Sequence, residues 1–305
     1  MNKIYLGITL LTAITAASCT KQDQVKVDGN IPPDYSGVPT IIVENYVNRL
    51  YIDLLGREAT NVERNLFTDS LINNDLDTNT RKNLIKTLQY STEYREGDSS
   101  YMHAWHERIY NLSKARFVDG ADDGEFNRIV GNLSFSLKKA RLEGDSVRVF
   151  QSLDAINNIR KVTLSKYRLR TGQIDYSAMC AAMLNNSIYD QINMNSFNFV
   201  NASYDDVLNR NPSGSELLEG IEIIDKNAPT KLFHSWASNK TEYCYVLTKA
   251  NEFYEAQIRW MYYILLRRDA GTSEVADIYK TYRQSEQLQD VQLPICISDE
   301  YAQFK

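Results

Sequence analysis

The pair His103 and His106, in the run His-x-x-His-Glu107, is the best-placed candidate in this 305-residue chain for holding a metal, and the only other histidine is His234. A zinc hydrolase needs its ligand pair at i, i+4 with the Glu between them and a third ligand beyond. Here the spacing is i, i+3 and the Glu follows, so packing beside Trp105 is the expected role. Acids alternate at Asp119, Asp122 and Asp123 in the stretch Phe117–Gly124, but the twelve-residue calcium loop with its closing bidentate Glu is not met. A solvated turn is expected there. Cys180, Cys244 and Cys296 lie in no metal-ligand spacing, and an odd count of three allows at most one disulfide. No Gly-rich phosphate loop, Gly-x-Ser-x-Gly elbow or recognisable carboxylate pair occurs. No metal, no cofactor and no catalytic residue is expected.

What does recur is an Arg with a Glu six residues on: Arg57 and Glu63, Arg210 and Glu216, Arg268 and Glu274. Each Arg follows a Tyr (Tyr51, Tyr204, Tyr262) by six residues and a Leu (Leu55, Leu208, Leu266) by two. Three copies of an active site in one chain would be unusual. A Glu at the third position of a helix caps it, and an Arg at a helix C-terminus bonds its last carbonyls. The structural role is therefore favoured for all nine residues, and Glu63→Gln is expected to cost little, because Gln still reaches the cap amide.

The elements that would hold these residues are legible around them. Val47, Leu50, Tyr51, Leu54 and Leu55 fall on one helical stripe, as do Ile258, Met261, Tyr262, Leu265 and Leu266; Val200, Tyr204, Val207 and Leu208 keep the pattern in the middle copy. Gly56 and Asn209 suit the left-handed residue that ends a helix, a role Arg267 fits less well. Thr60-x-x-Glu63 and Ser213-x-x-Glu216 read as capping boxes, and Gly271-x-x-Glu274 as half of one. Each copy is thus a helix, a tight corner and a second helix. The pairs Glu93-Tyr94, Glu242-Tyr243 and Glu300-Tyr301 close units of about forty residues, a length typical of helical repeats.

The run Tyr51-Ile-Asp-Leu-Leu-Gly-Arg57 with Glu63, Leu84-Ile85, Leu88 and Ser91-Thr92-Glu93-Tyr94 resembles the "LYxxLLGRxP…E…SxEY" pattern of phycobilisome-linker-like helical domains. It also resembles domains of unknown function in bacterial surface proteins, including planctomycete ones found beside cytochrome domains. The resemblance covers residues 46–94 and, less cleanly, 199–301. Ala59 replaces the usual Pro, which Pro212 keeps, and no haem-attachment CxxCH is present. The resemblance implies a helical module used in assembly or binding, with no catalytic residues to carry over.

The N-terminus reads as an address. Met1-Asn2-Lys3 is a short basic region, Ile4–Ala16 an apolar one, and Ala16-Ala17-Ser18-Cys19 resembles a bacterial lipobox. Residues 1–18 are then a lipoprotein signal peptide, with Cys19 the lipidated residue, carrying acyl groups such as palmitate. The apolar run is too short to span a membrane comfortably. Thr20-Lys21-Gln22-Asp23-Gln24 lacks an Asp at the second mature position, so outer-membrane attachment of a Bacteroidota-type lipoprotein is expected, with the cell-surface face slightly favoured over the periplasmic one. Three of the six prolines fall in residues 19–40, a flexible tether.

Beyond it, a mean hydropathy of −0.43, a pI near 5.4 and a formal charge of −5 argue against nucleic acid as a partner. Helical periodicity dominates, and the fold class is read as all-α: helical module 1 over residues 41–98, an unrepeated helical region over 99–198, module 2 over 199–257 and module 3 over 258–305. Within the unrepeated region, helices are expected over 125–142, 145–170 and 176–194, and Lys138-Lys139-Ala-Arg141 reads as a basic, solvated face. Two functions follow. The first is a non-catalytic lipid-anchored scaffold or accessory subunit that binds another envelope protein. The second is a surface glycan-binding lipoprotein, suggested by 20 Tyr and 3 Trp. An open surface shared by Trp105, Trp236 and several Tyr would favour the glycan, and burial of those rings would favour the scaffold.

Overall fold

Apolar stripes become helices along nearly the whole chain. The computed structural model describes residues 34–304, and among these are fifteen helices and one small hairpin. Module 1 contains α1 (Thr40–Leu55), α2 (Asn61–Ile72) and α3 (Thr78–Tyr90). The unrepeated region contains α4 (Tyr101–Phe117), α5 (Asp123–Glu143), α6 (Ser146–Arg170), α7 (Tyr176–Leu184) and α8 (Ser187–Asn193). Then come α9 (Ser196–Leu208), α10 (Gly214–Lys226), an antiparallel pair β1 (Thr230–Leu232) and β2 (Ser235–Ala237), and α11 (Lys240–Lys249). The chain finishes with α12 (Asn251–Leu266), α13 (Thr272–Ser285), α14 (Gln289–Cys296) and α15 (Asp299–Ala302). The class is all-α. No helix of the described residues is long and apolar enough to cross a membrane.

The three corners share one construction. Helices end at Leu55, Leu208 and Leu266, each followed by a left-handed residue: Gly56 at φ 80°, Asn209 at 56° and Arg267 at 58°. Arg267 adopts that conformation despite its β-carbon, because the apolar stripe on α12 and the cap of α13 fix the chain on both sides of it. Thr60 and Ser213 cap α2 and α10 as complete capping boxes, while at Gly271 only the Glu274 half exists. Gly220 lets α10 lie close against its neighbours: a β-carbon there would meet Val200 at 2.9 Å and Tyr243 at 3.2 Å.

Several boundaries read from the sequence need correction. The line between modules 2 and 3, at 257/258, falls inside α12, which runs unbroken and serves both modules; the one at 198/199 falls inside α9. Periodicity marked the stripe and not its start, which is set by Asn195 capping α9. The helix expected over 176–194 breaks at Asn185 and Asn186, because the Asn186 side chain caps a new helix by accepting from the Ile188 and Tyr189 amides. The tether does not reach residue 40: Tyr35 donates to Asp299 at 2.7 Å and packs edge-on to Phe304, so the folded unit begins there. The signal peptide at 1–18, Cys19 and the rest of the tether lie outside the described residues.

The end of the fold returns to its beginning. Arg49 donates to the Tyr301 carbonyl at 2.8 Å, Tyr46 to the Cys296 carbonyl at 3.0 Å, and Tyr301 to Asp53 at 2.8 Å. Module 3 is thereby fastened to the first helix of module 1.

Candidate functional site

The recurring Arg and Glu meet within each corner, and the geometry is nearly the same three times. Arg57 forms a two-point pair with Glu63 at 2.8 and 2.8 Å, Arg210 with Glu216 at 2.8 and 2.7 Å, and Arg268 with Glu274 at 2.9 and 2.7 Å. The same Glu accepts the cap amide of Thr60, Ser213 or Gly271, at 2.9, 2.7 and 2.6 Å. Each guanidinium lies over its motif Tyr, 5.0, 5.1 and 5.2 Å from the ring centre of Tyr51, Tyr204 and Tyr262. Each also bonds the carbonyl of the residue after it.

A second carboxylate, which sequence reasoning missed, completes every corner. Arg57 Nε donates to Asp98 at 2.9 Å, Arg210 Nε to Glu252 at 2.6 Å, and Arg268 Nε to Glu300 at 2.6 Å. These acids stand just before α4, in the first turn of α12 and in the first turn of α15. They are 41, 42 and 32 residues beyond their Arg. Of the three closing Glu read from the sequence, only Glu300 reaches its corner; Glu93 pairs with Arg95, and Glu242 caps the start of α11. Tyr94 is exposed in a loop, whereas Tyr243 and Tyr301 are buried.

The donor count decides what these arginines can do. A guanidinium has five N–H donors, and Arg57 and Arg268 each make five bonds inside their own corners. Neither keeps a donor for a ligand. Burial alone would raise the Glu63 carboxyl, but Arg57, the Thr60 amide and Tyr101 outweigh it and hold the group at about 2. Arg210 and Arg268 bring Glu216 and Glu274 to about 2 as well. All three are fixed anions at neutral pH, suited to holding a cation in place rather than to exchanging protons.

The first corner is the most elaborate. Tyr51 donates to the Tyr101 hydroxyl at 2.9 Å, and Tyr101 donates to Glu63 at 2.7 Å. The Tyr204 hydroxyl in the second corner is buried without a hydrogen-bond partner among the described residues.

The other chemistry-bearing residues are engaged elsewhere. His106 packs edge-on against Trp105, with ring centres 4.7 Å apart, and its Nδ1 bonds the Met102 carbonyl. His103 faces Arg170. In the acidic loop, Asp122 caps α5, while Asp123 accepts from Tyr110 at 3.0 Å and pairs with Lys114 and Lys166. Cys180, Cys244 and Cys296 are buried free thiols; burial pushes the first two up to about 12.

Aromatic exposure bears on the glycan platform. Trp105 is buried, as are twelve tyrosines among the described residues, including Tyr51, Tyr204 and Tyr262, while Trp236 on β2 is exposed. Trp105 and the motif tyrosines therefore share no open face with Trp236. Exposed apolar side chains occur on several elements, among them the hairpin of α5 and α6, helices of 21 and 25 residues, roughly 31 and 37 Å long at the helical rise. Beyond residue 130 the only buried residue of α5 is Ala140, which faces α6 with Leu133, Ser136 and Leu137. Phe135 and Leu142 point the other way and are 73% and 81% exposed, and Val147 and Phe150 are exposed on α6. Residues 126–161 carry seven Lys or Arg against three Asp or Glu, in a chain whose net charge is −5. The chain matches no protein-family model, no curated protein and no solved structure.

Proposed function

We propose that this protein is a non-catalytic scaffold or accessory subunit that binds another cell-envelope protein, held at the outer membrane by acyl groups on Cys19. The observation that carries the reading is the α5–α6 hairpin, whose outward faces expose Phe135, Leu142, Val147 and Phe150 among basic residues. Phe135 and Leu142 stand two turns apart on one face of α5, and exposed apolar faces of this kind are commonly kept where a partner covers them. The basic charge selects a partner surface that is apolar and acidic. The corners serve this function indirectly: with every Arg and Glu committed to holding helix ends, they give the hairpin a rigid base.

The test is to place a photo-crosslinking residue at Phe135 or Phe150 in living cells. One discrete adduct with an envelope protein is expected, absent when the crosslinker replaces the exposed Tyr94 instead. Failure to form any adduct at either hairpin position would refute the reading. The anchor is tested separately by labelling with palmitate: the wild-type chain should incorporate the label, and a labelled Cys19→Ala variant would reject Cys19 as the lipidated residue.

A further inference from the structure

A cleft of about 540 Å³ lies between the end of α3, α4, the α6–α7 link and the α13–α14 link. That volume is ordinary for a small-molecule site. None of the nine corner residues lines it.

Two of its lining side chains are polar and more than nine-tenths buried: His106 is 6% exposed and Gln289 8%. His106 Nδ1 lies 2.6 Å from the Met102 carbonyl, so that nitrogen carries the proton and Nε2 is left as a bare acceptor. Burial lowers the pKa of this ring and keeps it neutral. The Gln289 amide has no hydrogen-bond partner among the described residues, and neither has the Gln173 side chain. Gln287 accepts from Tyr90 at 3.3 Å through Oε1, which leaves its NH2 group open. The carboxylates at the cleft are already taken: Lys249 bridges Asp175 at 2.7 Å and Glu286 at 2.8 Å, and Tyr254 donates to Glu286 at 2.7 Å. Arg170 turns Nη1 toward His103.

The open groups are thus three amides, one neutral imidazole, the Ser285 hydroxyl proton and the remaining N–H donors of Arg170, with the half-exposed Tyr90 ring at the rim. Amides offer donor and acceptor on one plane, the combination that a hydroxyl, itself both donor and acceptor, satisfies. Water can fill these positions in the free protein, and a ligand hydroxyl can replace it without loss. We propose that this cleft binds a hydroxyl-rich ligand, a saccharide without positive charge, with His106, Gln289, Gln173 and Gln287 contacting its hydroxyls. Recognition occurs in a cleft and not on an aromatic platform, and it does not depend on the hairpin or its partner.

The experiment titrates the full chain with maltotriose, cellotriose and diacetylchitobiose, and in parallel with their uronic-acid and free-amine counterparts, by calorimetry and ligand-observed NMR. At least one neutral sugar should bind, and Gln289→Leu should weaken it by about tenfold or more, because a hydroxyl would face an apolar group. Gln173→Leu, on the exposed link, should weaken it by a smaller factor and supplies the test if Gln289→Leu does not fold. Absence of binding by all three neutral sugars at about 10 mM, tighter binding of a free-amine counterpart, or unchanged affinity in the folded variant would overturn the proposal.

Discussion

The carboxylate of Glu63 gives the sharpest test of the corner. Replacing it by Gln leaves a side chain that still reaches the Thr60 amide, so a purely capping role predicts almost no loss. The structure assigns more: Glu63 also pairs twice with Arg57 and accepts from Tyr101. Its carboxyl sits at about 2 instead of the ordinary value near 4.5. At 1.36 kcal/mol per unit, that shift corresponds to at most about 3 kcal/mol of folding stability. Solvent screening at this partly open corner reduces it to about 1–2 kcal/mol. The sign follows from the lowered pKa. The contribution is complete above the unfolded value near 4.5 and is lost as pH falls from there toward 2. Urea denaturation of wild type and Glu63→Gln should therefore differ by about 1–2 kcal/mol at pH 7, and the gap should narrow steadily below about pH 4.5. Equal stability at pH 7, or a gap that does not change with pH, would refute the assignment of the charge to the corner.

The remaining expectations use the same denaturation assay or a simple titration. Thr60→Ala and Ser213→Ala should each lose about 1 kcal/mol through a missing cap. Tyr51→Phe should destabilise by about 1 kcal/mol, since it breaks the chain to Tyr101 and Glu63, whereas Tyr204→Phe should be neutral or stabilising because its buried hydroxyl has no partner to lose. Gly220→Ala should cost about 1–2 kcal/mol, as overpacking against Val200 exceeds the gain in helix propensity; a stabilised variant would show that α10 can move away. Cys180, Cys244 and Cys296 should react with a thiol reagent only after unfolding, and rapid labelling of any of them in the native protein would contradict their burial.

How much of this could be read from the sequence depends on the range of the interaction. The helix ends at Leu55, Leu208 and Leu266 were legible because a stripe, a left-handed residue and a cap all lie within about ten residues. The bond from Arg to Glu was hidden in plain spacing: six residues apart across a corner, the pair follows neither helical nor strand periodicity, and recurrence alone marked it. Asp98, Glu252 and Glu300 were not legible, because the intervening segments differ in length and the acid itself changes between Asp and Glu. The short hairpin of β1 and β2 was missed for another reason. Three-residue strands carry too few positions for alternation to show. The cleft could not be seen at all, since its lining comes from separate stretches between Tyr90 and Gln289 that only the packing brings together.

The unbroken α12 has a consequence for where the chain can be divided. Its first turn supplies Glu252 to the corner of Arg210, and its last turn enters the corner of Arg268. Cutting the chain where the sequence copies divide, at 257/258, would leave Asn251–Gln257, two turns of helix too short to persist in water unaided. The second corner would then lose its far carboxylate although every residue of its own copy remained. The segment that repeats and the segment that completes its own corner are therefore different lengths of chain, and a transplanted copy would have to take the whole of α12 along with it.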